Sequence, residues 1–239
     1  MKQAGRDAES HVGGSELGRK IRAAIERNGE SLYEELANAV THGIGAVLSA
    51  AALALIVVLA AFTGSVWAIV TSTIYGITLF LTYLSSTLYH GTWHRTAKSV
   101  FLAADHCAIF LLIAGTYTPI TLLAFPKPLG WVLFGVIWAM ALIGICVRLW
   151  LGRLHWGLIP VFLGMGWLGF PWSETIFESL GTGGAWLLLS GGLAYTAGVV
   201  FYLWRSLPFN HAVWHLFVIG GSVCHFLAIA IYALPAVAG

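Results

Sequence analysis

Long apolar stretches separated by short polar turns organise this chain. They run over residues 42–62, 67–90, 99–123, 130–150, 157–172, 184–204 and 210–234. Most last about 20 residues, the length that carries a helix across a hydrocarbon core. They lack the polar alternation of barrel strands. The fifth is the shortest and contains Pro160, which membrane helices tolerate. Upstream, Ser31 and Glu34 have capping-box spacing, and Leu32, Leu36 and Val40 recur at i, i+4 and i+8. This pattern predicts a short interfacial helix, SLYEELANAVTH, lying on the membrane before the first span. The expected architecture is an all-α membrane protein, a seven-transmembrane helix bundle. It forms one domain over residues 31–239, preceded by a polar tail over residues 1–30.

Composition agrees. Hydrophobic residues make up 59% of the 239 residues and charged residues only 9%, against roughly 25% charged in soluble domains. The mean hydropathy is +0.84. The first 30 residues lack the apolar core of a cleavable signal peptide. The net charge of +2 is too small, and its basic residues too dispersed, for a nucleic-acid surface. Cys107, Cys146 and Cys224 all fall in apolar runs and read as small buried hydrophobes, not a disulfide framework.

Charge also predicts an orientation. Of the 12 basic residues, all but Lys127 fall in the tail or in the turns after the second, fourth and sixth spans. The positive-inside rule then places the N-terminus in the cytoplasm and the C-terminus outside, in a cell (plasma) membrane, the inner one if the cell has two. Trp67, Trp131, Trp150, Trp156, Trp172, Trp186 and Trp204 lie near expected helix ends, as interfacial anchors do.

The chemistry lies in a few polar residues inside these runs. His90 ends the second span, and His211 and His215 open the seventh as His-x-x-x-His. Asp105 is the only carboxylate inside an apolar run. Intramembrane ionisable residues are costly and mark function by default. With the expected topology, all four share the cytoplasmic third of the membrane. His211 and His215, at i and i+4, project from one helix face and can bind one ion. Ser86 and His90 share that spacing on the second span. Three imidazoles leave a fourth position of a tetrahedral zinc ion open, as catalytic sites do. Zinc brings the pKa of bound water to about 7, and Asp105 could accept its proton, with Ser86 supporting it. The competing reading is interhelical hydrogen bonding without metal, with Asp105 paired to a neighbouring helix, for example at His42.

Other histidines read differently. Glu35, Asn38 and His42 sit at the mouth of the first span and are candidates to line an entrance. His106 is about 100° of helix rotation from Asp105 and is not expected to be a ligand. His225 lies about 15 Å deeper than His215 and is expected to make an interhelical hydrogen bond. His11, His94 and His155 carry no assignment.

The strings SSTLYH (85–90), DHCAIFLLIAGTYTP (105–119) and HAVWHLFVIGGSVCHF (211–226), with EELANAVTHGIG (34–45) upstream, resemble the hemolysin III proteins. These are the bacterial branch of the progestin and adipoQ receptor superfamily. The resemblance runs from about residue 31 to the end. It implies a seven-helix fold with zinc held by His90, His211 and His215, Asp105 at the zinc-bound water and Ser86 in support. Superfamily ceramidases suggest hydrolysis of a lipid amide or ester, with membrane lipids as partners. The branch name instead implies cytolysis by a pore, with the zinc structural. A lipid or membrane sensor is a third reading, for which the tail is the only docking segment. A retinal protein is disfavoured, because Lys2, Lys20, Lys98 and Lys127 all fall outside the expected spans.

Overall fold

The computed structural model describes residues 31–152 and 155–237, and side chains are described for these apart from His155, Trp156 and Val237. The expected tail, residues 1–30, lies outside the described residues. Within them the chain is helical, with no strand. Helix α1 is Leu32–Phe62, α2 Val66–Gly91, α3 Arg95–Pro119, α4 Lys127–Leu151, α5 His155–Gly166, α6 Ser173–Leu203 and α7 Asn210–Ala228. Helices α3 and α7 each run on into a five-residue π turn, Ile120–Ala124 and Ile229–Ala233. The first follows Pro119, whose missing N–H interrupts the helical ladder.

The helix ends follow local chemistry. At Ser31 the capping box is complete: the Glu34 N–H donates to Ser31 Oγ at 3.3 Å, and the Ser31 N–H donates to Glu34 Oε2 at 2.8 Å. Between α1 and α2, Gly64 turns the chain at φ 70° and Ser65 caps α2. The expected interfacial helix is not a separate element. Residues 32–41 continue unbroken into the first span, giving one helix of 31 residues. The reason is visible in its buried face: Glu35, Asn38, His42, Gly45 and Ser49 form one stripe, so the whole helix packs on the bundle.

Among the described residues, six helical stretches are long and apolar enough to cross a membrane. The fifth expected span is the exception. Residues 157–172 hold all but the first two residues of the 12-residue α5 and a 3-10 turn, Phe170–Trp172. Twelve residues reach about 18 Å, short of a core of about 30 Å. Gly157–Leu203 is one of these six stretches, although Gly181, at φ 65° and ψ 173°, breaks α6 within it.

Burial is inverted relative to a soluble bundle. Val47, Leu48, Val132 and Ile143 are exposed, while Thr71, Ser72, Thr78 and Thr82 are buried. Cys146 is exposed on α4, and Cys107 and Cys224 are only half-buried, which corrects the reading of all three as core residues. The helix exterior of a membrane bundle is itself apolar, so an apolar side chain gains nothing by turning inward. The interior is close-packed. A side chain at Gly45 would collide with the Tyr83 ring, so α1 and α2 meet through that glycine. One core joins α1, α2 and the two π turns; a second, around Phe110, Ile137, Leu158 and Met165, ties α5 to α3 and α4.

Candidate metal centre

At the end of the bundle where α2 stops and α7 starts, His90, His211 and His215 come together. One ligand atom from each lies within 4.8 Å of the others. Ring centroids are 4.8 Å apart for His90 and His211, 4.7 Å for His211 and His215, and 5.4 Å for His90 and His215. His90 and His215 are buried and His211 is half-buried. The i, i+4 spacing on α7 produces the second pair; the end of α2 supplies the third ring from across the bundle.

Asp105, on α3, is buried and faces His211 and the Ser86 hydroxyl. Ser86 Oγ is buried, faces the Asp105 carboxyl and has no other hydrogen-bond partner. Its neighbour Ser85 donates to the Thr82 carbonyl, as helix hydroxyls commonly do, but Ser86 does not. The structure therefore brings all five expected site residues to one place. Asp105 is not paired to His42. That ring instead stacks on His215, with centroids 3.4 Å apart and planes within 15°.

A tetrahedral zinc ion bonded at about 2.0–2.1 Å places ligand nitrogens about 3.3 Å apart. The three imidazoles fit such an ion after closing by at most about 1.5 Å, which side-chain rotation supplies. His215 Nε2 is buried and has no hydrogen-bond partner, as expected of a nitrogen reserved for a ligand. His42 does not fit as a fourth ligand. Metal ions bind in the plane of an imidazole, and two parallel rings 3.4 Å apart point their lone pairs along separate lines.

The site opens onto a cavity of about 450 Å³. Asp105, His42 and His211 line one part, and Ile113, Leu158, Phe162 and Val199 line another. A second cavity of about 190 Å³ shares Thr116, Trp167 and His225 with it and continues between α3 and α6. His106 also lines the main cavity, and its Nδ1 accepts from Arg148 Nε at 2.8 Å. His106 is not among the three clustered histidines. His225 bonds the Leu188 carbonyl across to α6 at 3.1 Å, the interhelical contact expected of it.

Three participants escaped sequence reasoning as site residues. Glu35 is no entrance residue: it is buried, with Oε2 2.9 Å from His90 Nδ1 and Oε1 2.9 Å from Lys98 Nζ. Lys98, counted only as a turn charge, lies in the first turn of α3. Thr41 Oγ1 is 3.0 Å from His215 Nδ1. A charged residue one turn inside an apolar helix was the available signal for Lys98; Thr41 gave none.

These features define a multi-pass helical membrane protein with a three-histidine group at one end of its bundle. The haemolysin-III related family model matches residues 30–226. The chain is 45% identical to Hemolysin-3 of Bacillus cereus, over 88% of this chain and 97% of that one. It is 42% identical to the Hemolysin-3 homolog of Bacillus subtilis (strain 168), over 85% and 96%. The human monocyte to macrophage differentiation factor, a member of the progestin and adipoQ receptor superfamily, is 32% identical over 82% of this chain and 83% of its own. The chain belongs to the haemolysin-III related family.

Proposed function

We propose that this protein is a zinc-dependent hydrolase of a lipid amide or ester. In this reading seven segments cross the cell membrane, with the N-terminus and the site on the cytoplasmic side. The observation that carries it is the joining of three clustered imidazoles and a buried carboxylate to one largely apolar cavity. A volume of about 450 Å³ is in the range of ligand sites. Its apolar part suits a hydrocarbon chain, with the chain's polar head at Asp105.

His90, His211 and His215 would hold the zinc. When bound, zinc acts as a Lewis acid toward a carbonyl and lowers the pKa of water. Asp105 takes a proton from the attacking water as the new C–O bond forms at the acyl carbon. It returns that proton to the amine or alcohol as the C–N or C–O bond breaks. The products are the carboxylic acid and the amine or alcohol. Ser86 orients the Asp105 carboxyl. The apolar walls exclude competing water.

Elemental analysis of detergent-purified protein tests the first requirement. About one zinc per chain is expected in the wild type, and none in the His211→Ala/His215→Ala variant. Folded wild-type protein that binds no zinc when supplied with it would remove the hydrolase reading. The relatives' names favour cytolysis as a second reading. Against it, the cavity toward the far end is lined by apolar residues such as Phe125, Leu133 and Phe177, whereas a conducting path needs polar lining. Dye leakage from liposomes carrying the purified protein would support the second reading.

A further inference from the structure

Helix α1 supplies none of the three clustered histidines, yet it touches two of them through their outward nitrogens. We propose that α1 is the positioning element of this site. Through Glu35 and Thr41 it fixes the ring protons of His90 and His215 on Nδ1, leaving both Nε2 lone pairs for a metal. The inference rests on the metal-site reading above.

Two separate lines of hydrogen-bond logic lead there. The first begins at Lys98, which can only donate. Its Nζ lies 2.9 Å from Glu35 Oε1 and 3.2 Å from the Tyr89 carbonyl, and its charge sits over the Tyr89 and Trp93 rings. A buried ammonium needs a countercharge, and Glu35 is the only carboxylate in ion-pair contact with it among the described residues. Glu35 is therefore a carboxylate and an acceptor at both oxygens. His90 Nδ1, 2.9 Å from Oε2, must then be the donor.

The second begins at Thr41, the residue before His42. A threonine hydroxyl has one hydrogen. Thr41 Oγ1 lies 2.8 Å from the Ala37 carbonyl and 3.0 Å from the Asn38 carbonyl, both of which only accept. Its hydrogen is committed there. Toward His215 Nδ1, at 3.0 Å, Thr41 can only accept, so the ring proton is on Nδ1. Both arguments end at the same tautomer on rings from different helices.

Such partners orient the ring and set which nitrogen is free, and their loss commonly weakens metal binding on the order of 10- to 100-fold. The arrangement also gives Glu35 and Lys98 a role beyond a stabilising ion pair. Replacing a buried pair by apolar residues is often neutral for stability. A loss of zinc affinity in that replacement would therefore report positioning.

The test uses full-length protein in detergent, with ring nitrogens labelled by [15N]-histidine, and the variants Thr41→Val, Thr41→Ser and Glu35→Leu/Lys98→Met. Two readouts are taken: the 15N ring spectrum of the metal-free protein, and zinc affinity by competition with a chelator. The wild-type spectrum should show Nδ1–H signals that vanish in His90→Ala and His215→Ala respectively. Thr41→Val should remove the His215 signal and weaken zinc about 10- to 100-fold. Thr41→Ser should restore both. Glu35→Leu/Lys98→Met should do to His90 what Thr41→Val does to His215. Unchanged ring spectra and unchanged zinc affinity in both Thr41→Val and Glu35→Leu/Lys98→Met would overturn the proposal. A wild type that shows the Nδ1–H signals but binds no zinc would leave the positioning intact and bring down the hydrolase reading instead.

Discussion

The two walls of the main cavity are built on opposite principles. The wall formed by α1, α2, α7 and the start of α3, which carries Asp105, is tied by side-chain bonds between helices: Glu35 to His90 and Lys98, Thr41 to His215 and Tyr83 to Ser222. The facing wall, from the far half of α3 with α5 and α6, presents Ile113, Leu158, Phe162, Leu163 and Val199. Its polar ties hold none of the proposed reacting groups: Tyr117 Oη donates to the Gly166 carbonyl at 3.0 Å and accepts from the Gly169 N–H at 2.9 Å, and Trp167 Nε1 donates to Thr196 Oγ1 at 3.0 Å. In a bilayer, apolar contact alone does not drive helices together, so directional bonds and close packing decide where a bundle is rigid. In the proposed hydrolase, the tied wall would hold the reacting groups in fixed geometry and the apolar wall would set how much hydrocarbon the cavity accepts. Substitutions on the first should change rate or metal content, and those on the second should change which chain is accepted.

The largest effect expected on the tied side, short of removing ligands, is at Asp105. Asp105→Asn keeps the shape and loses the proton acceptor. Turnover of an acyl amide should fall on the order of 10²- to 10⁴-fold, with zinc content unchanged by elemental analysis. Turnover at the wild-type rate would refute the role given to Asp105, and loss of zinc along with rate would make it a ligand instead. On the apolar side, Leu163→Trp fills cavity space without touching the histidines. Amides of graded acyl length should separate: the longest should lose on the order of 10- to 200-fold in kcat/KM while short ones keep theirs. Equal losses at every length would break the division of labour between the walls.

Much of the site could be read from spacing, and much of its support could not. His-x-x-x-His places two rings on one helix face by helical periodicity alone. Asp105 is conspicuous as a carboxylate in an apolar run. Glu35 and Lys98 are 63 residues apart, and Thr41 and His215 are 174 apart. A bond between distant segments leaves no periodic trace, and Thr41 is an ordinary helix threonine until its partner is known. The fold shows the same limit. Apolar length marked each helix, but length says nothing of breaks. Gly166, Gly169 and Pro171 stop α5 early, while Gly43 and Gly45, with no proline beside them, leave α1 unbroken, so the expected interfacial helix is part of α1.

The smallest effect tests the tied wall where it leaves the histidine cluster. Tyr83 is buried, with its ring edge-on to His42 at 5.0 Å and its hydroxyl donating to Ser222 Oγ at 2.7 Å. Ser222 also meets the Tyr195 hydroxyl at 2.9 Å. Tyr83→Phe keeps the ring against His42 and leaves Ser222 with Tyr195, so no buried group is stranded. Its cost should be about 0.6 kcal/mol, the average for a hydrogen bond between membrane helices. Ser222→Ala deprives two tyrosine hydroxyls at once and should cost about 1–3 kcal/mol. Unfolding in mixed detergent, followed by tryptophan fluorescence, would rank the two. If Tyr83→Phe cost as much as Ser222→Ala, Ser222 would not be the shared hub between α2, α6 and α7. The tied wall would then owe its rigidity to close packing at contacts such as Gly45 against Tyr83, not to its hydrogen bonds.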